Sequence, residues 1–353
     1  MNSKLCISSS HQPWHGFHIH ESATVRVAPP KVHLIKKMSH PKESINEFIS
    51  TLPQRKGWSQ PLIQYKNFWF RGLPLEQILL AQDAFEPRAD DIILATQPKC
   101  GTTWLKALAF TIVNRSRYSF DDHPLLTSHP QRVVPFIEIP HVGGGGGADH
   151  HAHIETLSSR RLLATHMPMS LFPLDMSCRV VYVCRDPKDA LVSRLHFENR
   201  INQGSSLSMD SAFSMFCEGF SSNGPFWDHC LEYWEKSLAR PNNVLFLKYE
   251  EIKSDPVQVV RRLAKFLGVP LSQEEESSGV AQEVVRLCSF EMLTSLQINQ
   301  VGGIDRGNKC YVGNSMFIRK GKVGDWRNHM SQEMGGKLDR IVREKLQGSG
   351  LAF

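Results

Sequence analysis

The stretch Ile92-Ile93-Leu94-Ala95-Thr96-Gln97-Pro98-Lys99-Cys100-Gly101-Thr102-Thr103-Trp104-Leu105-Lys106 decides how this chain folds. Its first five residues are apolar or β-branched without a break, the pattern of a strand buried on both faces. Pro98 and Gly101 then punctuate the run, and Thr103 to Val113 reads as a helix. A strand, a tight turn and a helix in succession aim backbone N–H groups and the positive end of the helix dipole at one point, which suits an anion. Gly101 lets the backbone come close to an oxyanion, Thr102 and Thr103 add hydroxyl donors, and Lys99 supplies a mobile cation. Phosphate is the obvious guest, although a Thr-capped helix beside a solvated Lys would explain the same letters if the loop stood alone.

The unit recurs. Val180 to Cys184 reads as a second buried strand, with Pro187 in the first turn of a helix that runs to about Asn199. Val244 to Leu247 is a third, with Pro256 opening a helix to Leu267. Short apolar strands alternating with longer helices imply parallel crossovers. The expected fold is therefore α/β, a P-loop-like three-layer arrangement of a central parallel sheet flanked by helices, with ligands at the carboxyl ends of the strands. Phe226, Trp227 and Trp234 lie at helical spacing and read as core.

At 353 residues and 41% hydrophobic, the chain can bury one large core. Residues 1–45 read as an N-terminal extension that adds little to that core, and 46–353 as a single domain. The formal charge of +6 suits an anionic ligand, but Lys and Arg form no stripe, which argues against nucleic acid. The eight cysteines include no Cys-x-x-Cys pair, so neither a zinc site nor a disulfide framework is expected. No apolar run reaches the roughly 18 residues of a membrane span, and the N-terminus lacks the apolar core of a secretory signal. The expected protein is soluble and cytoplasmic. Only Glu21 is acidic in residues 1–40, as in an organelle transit peptide, while their single arginine, Arg26, weighs against that reading. Met38 offers an alternative start. The tract Gly143 to Gly147 reads as a flexible surface loop; a metal role for Asp149, His150, His151 and His153 is disfavoured, because no ligand spacing on a regular element supports it.

The loop is not a Walker A sequence, since Lys99 precedes Gly101 rather than following a second glycine. Cys100 followed six residues later by Lys106 approaches a phosphatase pattern, yet lysine cannot give arginine's bidentate clamp. Further motifs follow in order: Thr165-His166-Met167-Pro168, Tyr182-Val183-Cys184-Arg185-Asp186-Pro187-Lys188-Asp189-Ala190-Leu191-Val192-Ser193, Gly224-Pro225-Phe226-Trp227-Asp228-His229, Lys248-Tyr249-Glu250, and Arg319-Lys320-Gly321 with Gly324-Asp325-Trp326. In these motifs, their order and their spacing, residues 50 to 353 resemble the soluble, cytosolic PAPS-dependent sulfotransferases. Phe216-Cys217-Glu218-Gly219 and the Gly348 to Phe353 ending look like the plant branch.

That resemblance implies a donor, 3'-phosphoadenosine 5'-phosphosulfate (PAPS), as co-substrate, with no metal. Lys99, Cys100, Gly101, Thr102, Thr103 and Trp104 would hold its 5' end. Arg185, Ser193 and Arg319-Lys320-Gly321 would hold its 3'-phosphate, and Trp104, Tyr249 and Phe290 would frame the adenine. Two separated anions need two basic nests, and a planar base suits aromatic faces. His166 matches the family's catalytic base and Lys99 the cation that steadies the leaving phosphate. The partner would be a small hydroxylated acceptor (a flavonoid, hydroxyjasmonate, steroid hormone or phenolic), with neither nucleic acid nor membrane involved. The rival reading is a catalytically silent nucleotide binder acting as a sensor.

Two departures from the family pattern bear on the site. Cys100 stands where Ser or Thr is usual; its Lys neighbour and its place at a helix N-terminus would lower the thiol pKa, which raises oxidation of Cys100 as a block on the donor, while an inert small residue whose amide does the work is the favoured reading. Ala164 stands where animal members carry a second lysine. Arg327 to Gln332 departs from the animal dimer motif, which leaves the oligomeric state open.

Overall fold

Strand Ile92–Thr96 is buried at all five positions, as its unbroken apolar run requires. The computed structural model describes residues 42–140, 148–172, 177–201, 206–305 and 311–353. The described residues belong to one unit that runs from His40 to Phe353. The expected extension falls, up to residue 41, outside the described residues, as does the glycine tract 143–147.

Nine strands are present among the described residues: β1 (Gln54–Arg55), β2 (Leu62–Tyr65), β3 (Phe68–Phe70), β4 (Ile92–Thr96), β5 (Leu162–Thr165), β6 (Arg179–Cys184), β7 (Val244–Lys248), β8 (Gly303–Asp305) and β9 (Tyr311–Gly313). β1 to β3 form an antiparallel sheet and β8 pairs with β9. The large sheet has the order β5-β4-β6-β7, parallel throughout. The chain leaves β4 to one side for β5 and returns to the other for β6, so the direction of winding reverses about β4. A crevice outside the carboxyl end of that strand follows.

Side chains alternate across this sheet and fill two separate cores. Ile93, Ala95, Leu163, Val180, Tyr182 and Phe246 face one layer, which holds Trp227 and Tyr233 of the helix Phe226–Ala239 and Leu191 of the helix Pro187–Ile201. Ile92, Leu94, Val181, Val183, Leu245 and Leu247 face the other, against Leu105, Leu108 and Ile112 of the helix Thr102–Asn114 and Val259, Val260 and Leu263 of the helix Pro256–Phe266. Each such Leu, Ile or Val contributes about 1.5–3 kcal/mol on burial. The three-layer α/β expectation therefore holds. β4, β6 and β7 lie within one residue of the predicted bounds, and Asp255 caps the helix that Pro256 opens. β5 was not expected from the sequence, because it is only four residues long and ends in the motif that drew attention to His166. The tract after the glycines forms the helix Ala148–Thr156, in which His150 is buried with Nε2 2.8 Å from the Phe136 carbonyl.

A charged pair closes the amino end of the sheet. Arg161, just before β5, is fully buried and donates from Nε and Nη2 to the two carboxylate oxygens of Asp91, just before β4, at 2.8 and 2.6 Å. Asp91 also accepts the Arg179 amide at its backbone oxygen, which ties in β6. Removing Asp91 leaves the buried guanidinium with a single, part-exposed carboxylate partner, Glu155 at 2.6 Å from Nη1, so Asp91→Ala is expected to lower stability by about 3–5 kcal/mol in a urea titration. A loss below 1 kcal/mol, in the range of an exposed pair, would contradict this role.

Candidate active site

All four parallel strands end on one cavity, which offers about 1500 Å³ including its open mouth. The turn after β4 forms its floor. Gly101 has φ 110°, in the left-handed region, and a Cβ there would lie 2.9 Å from Tyr249 Cδ2, so only glycine fits. Lys99 is also left-handed at φ 74°, a backbone strain of about 1–3 kcal/mol of the kind held at binding loops. Its ammonium lies 3.9 Å from the Phe197 ring centre. Gly101 caps the helix Thr102–Asn114 without a side-chain hydrogen bond, so no side chain covers the first amides, and Thr102, Thr103 and Trp104 line the cavity.

His166, directly after β5, faces this turn across the end of β4. Its Nδ1 lies 2.8 Å from the Thr96 carbonyl and 3.2 Å from Thr96 Oγ1, and that hydroxyl is 2.6 Å from Thr102 Oγ1. A bond to a carbonyl needs the proton on Nδ1, so in the neutral ring the lone pair sits on Nε2. The His166 backbone is held on both sides: its N–H donates to Glu138 Oε1 at 2.6 Å, and its carbonyl accepts from Asn223 Nδ2 at 2.9 Å and His229 Nε2 at 3.1 Å. His229 is fully buried and burial pushes it down to about 4, so it stays neutral; its Nδ1 accepts from the Tyr182 hydroxyl at 2.9 Å. Burial also pushes the Glu138 carboxyl up to about 7, against the opposing hydrogen bonds from His166 N–H and the Thr165 hydroxyl and the charge of Lys106.

The basic groups at the other end of the cavity are pre-arranged by two buried carboxylates. Asp189 accepts from the Gly324 and Trp326 amides at 2.8 and 2.9 Å and from Arg185 Nη2 at 3.3 Å, which fastens the turn Gly324-Asp325-Trp326 to the helix Pro187–Ile201. Asp325 accepts from Arg319 Nη1 at 2.7 Å, Lys320 Nζ at 2.8 Å and Asn328 at 3.1 Å. Burial alone would raise its carboxyl; the hydrogen bonds from Lys320, Arg319 and Asn328 hold it well below the usual range. Arg185 Nε and Arg319 Nε are buried with no acceptor among the described residues, so each guanidinium keeps a donor for a further anion. Beside them Trp104 and Tyr249 meet edge to face at 5.3 Å. A Cβ on Gly321, φ 62°, would lie 2.5 Å from Phe290, which packs against that glycine. The three rings bound a slot for a flat group.

The residues singled out from the sequence thus come together on one wall, with a single exception. Cys100 is fully buried behind it, its amide bonded to Gln97 O at 3.1 Å. Of the two readings of Cys100, the geometry supports the inert residue: desolvation pushes the thiol up to about 12, outweighing the charges of Arg185 and Arg194, so Cys100 is a protonated core thiol at neutral pH. Thr96, Glu138, Asn223 and His229, which fix His166, and Asp189 and Asp325, which fix the cations, were not assigned roles from the sequence. Asp189, Asp325 and His229 lie inside motifs already quoted; nothing local marks Glu138, whose partner is 28 positions away.

Comparisons with known proteins find relatives over most of the chain. Residues 89–350 match the family model described as the sulfotransferase domain. The chain is 42% identical to cytosolic sulfotransferase 5 of Arabidopsis thaliana, over 88% of this chain and 98% of that protein. It is 40% identical to the flavonol 4'-sulfotransferase of Flaveria chlorifolia, over 88% and 97%. Among solved structures it resembles an Arabidopsis thaliana sulphotransferase (36% identity, TM-score 0.67, covering 87% of this chain and 94% of that one). It also resembles a mouse sulfotransferase complexed with PAP (25% identity, TM-score 0.62, covering 82% and 95%).

The raised Glu138 carboxyl has a consequence for stability. Between the ordinary value of 4.5 and about 7 the folded chain keeps a proton that the unfolded chain has released. Stability from this group is therefore complete below 4.5 and declines by about 3 kcal/mol as pH rises through 7. Glu138→Gln is expected to remove that decline, so the variant gains on wild type in thermal unfolding as pH rises from 5 to 7.5. A constant difference across that interval would contradict it.

Proposed function

Because the chain belongs to the sulfotransferase family, we propose that it transfers the sulfonate group of PAPS to a hydroxyl of a small organic acceptor, with His166 as general base. The bond between His166 Nδ1 and the Thr96 carbonyl carries this reading, because it leaves the ring's lone pair on Nε2 in the cavity that also receives Lys99. The cavity has the features PAPS needs: uncapped amides and Lys99 at one end, Arg185, Ser193, Arg319 and Lys320 at the other, and the Trp104, Tyr249 and Phe290 slot between. The orphaned Nε groups of Arg185 and Arg319 and the close approach at Gly101 fit a bound phosphate group. PAP in the mouse relative supports the same donor.

PAPS brings sulfur already activated by a phosphate leaving group. His166 Nε2 takes the proton from the acceptor hydroxyl as that oxygen forms its bond to sulfur. The bond from sulfur to the bridging phosphate oxygen breaks in line, and its electron pair leaves on that oxygen, where Lys99 balances the charge. The proton rests on His166, the sulfonate on the acceptor, and PAP departs; nothing is oxidised. Residues 46–353 act as one domain in this reading, in the cytoplasm, as the names of the cytosolic relatives support. Flavonoids, hydroxyjasmonates, steroid hormones and phenolics are the acceptor classes to assay. Lys99 and His166 in one cavity speak against a silent nucleotide sensor.

Incubation with labelled PAPS and a panel of those acceptors is expected to give labelled product. His166→Ala should lower kcat by about 10²–10⁴-fold while PAP binding by calorimetry stays within a few-fold of wild type. PAP binding without sulfonation of any acceptor would favour the sensor instead.

A further inference from the structure

Resting on the sulfotransferase reading of the same cavity, we propose that Arg71 selects acceptors that carry a carboxylate, so that the preferred substrates are hydroxylated carboxylic acids. Arg71 directly follows β3 and is brought to the base by the backbone. Trp69 N donates to Gly224 O at 3.0 Å and Asn223 N to Trp69 O at 2.6 Å, while the Asn223 side chain bonds the His166 carbonyl. Arg71, Asn223 and His166 line the cavity together.

The guanidinium is only partly used. Its Nη2 reaches both Glu198 oxygens at 2.5 Å, whereas Nε and Nη1 bond nothing among the described residues, and the side chain keeps 18% of its surface exposed. Glu198, 3% exposed, also accepts Ser59 Oγ at 2.5 Å, so both of its oxygens are in use. A second guanidinium shares that carboxylate. Arg194 is buried and burial brings it down only to about 10, so it remains charged at neutral pH. Its own hydrogen bonds go to the neutral Ser222 carbonyl at 2.9 Å and Gln97 Oε1 at 3.4 Å. Two cations against one anion leave a net positive charge in a poorly hydrated wall, where an ionic partner is favoured. Planar donors with vacant N–H groups match a carboxylate better than a neutral hydroxyl or ring. Lys99, a further cation lining the cavity, would be engaged by the donor in the sulfotransferase reading.

The test compares kcat/KM for pairs of hydroxylated acids and their methyl esters, such as 4-hydroxycinnamic acid and methyl 4-hydroxycinnamate, with PAPS saturating. The wild type is expected to prefer the acid by tenfold or more. In Arg71→Gln the loss on the acid should exceed that on the ester by at least tenfold and appear mainly in KM, with Arg71→Lys between. Should Arg71→Gln fold poorly, Arg71→Met, which keeps the stem and leaves the Glu198 charge balanced by Arg194, serves in its place. Equal preference in the wild type, parallel losses on acid and ester, or a matching rise in the KM for PAPS would overturn the proposal. Turnover of neutral phenols but of none of the acids overturns it and leaves sulfonate transfer standing; turnover of neither overturns both.

Discussion

The last residue of β4 is the joint on which the site turns. Thr96 is fully buried, and both of its oxygens lie near His166 Nδ1, the carbonyl closer. The hydroxyl meets Thr102 at the start of the anion loop, and the carbonyl receives His166 Nδ1. One strand end therefore sets both the loop that takes the leaving group and the tautomer of the base. The arrangement is reinforced by a polar chain through the core, in which the Tyr182 hydroxyl donates to His229 and His229 donates to the His166 carbonyl. Tyr182 and His229 are fully buried and each polar group in that chain has a partner, so each orientation depends on the next. A shift of β4 against β5 or β6 by one residue would carry Thr96 away from His166 and invert the two cores together.

The far end of the cavity uses a different device. Arginine and lysine side chains are long and lose considerable freedom when ordered. Asp189 and Asp325 hold Arg185, Arg319 and Lys320 in place beforehand, so binding an anion there need not first order them. The carboxylates temper the positive charge while the buried Nε groups keep unused donors. Glu198 stands in the same relation to Arg71 and Arg194 near the base. The cavity is thus lined by cations with their counter-charges set behind them, rather than by cations alone.

Much of this was legible in the sequence, for identifiable reasons. β4, β6 and β7 are unbroken apolar runs, and proline marks the first turn of the helices after β6 and β7. β5 is short and partly polar in its surroundings, so its pairing with β4 outweighs its weak local pattern. The motif residues converge because they sit at strand ends, which the topology gathers. Glu138, Asn223 and Arg71 were not legible, since each acts through contacts 28 to 127 positions distant. Cys100 is the opposite case. Its neighbours in sequence promised a reactive thiolate, but packing beneath the loop desolvates it, and desolvation outweighs both nearby guanidinium charges.

The central claim is that Thr96 fixes His166 with its proton on Nδ1 and its lone pair on Nε2. Nitrogen-15 NMR of the labelled chain, with His166 assigned by comparison with His166→Asn, reads this at a pH where the ring is neutral. Nδ1 should appear as the protonated, pyrrole-type nitrogen and Nε2 as the pyridine type. The reverse assignment, or a ring exchanging between the two tautomers, would contradict it.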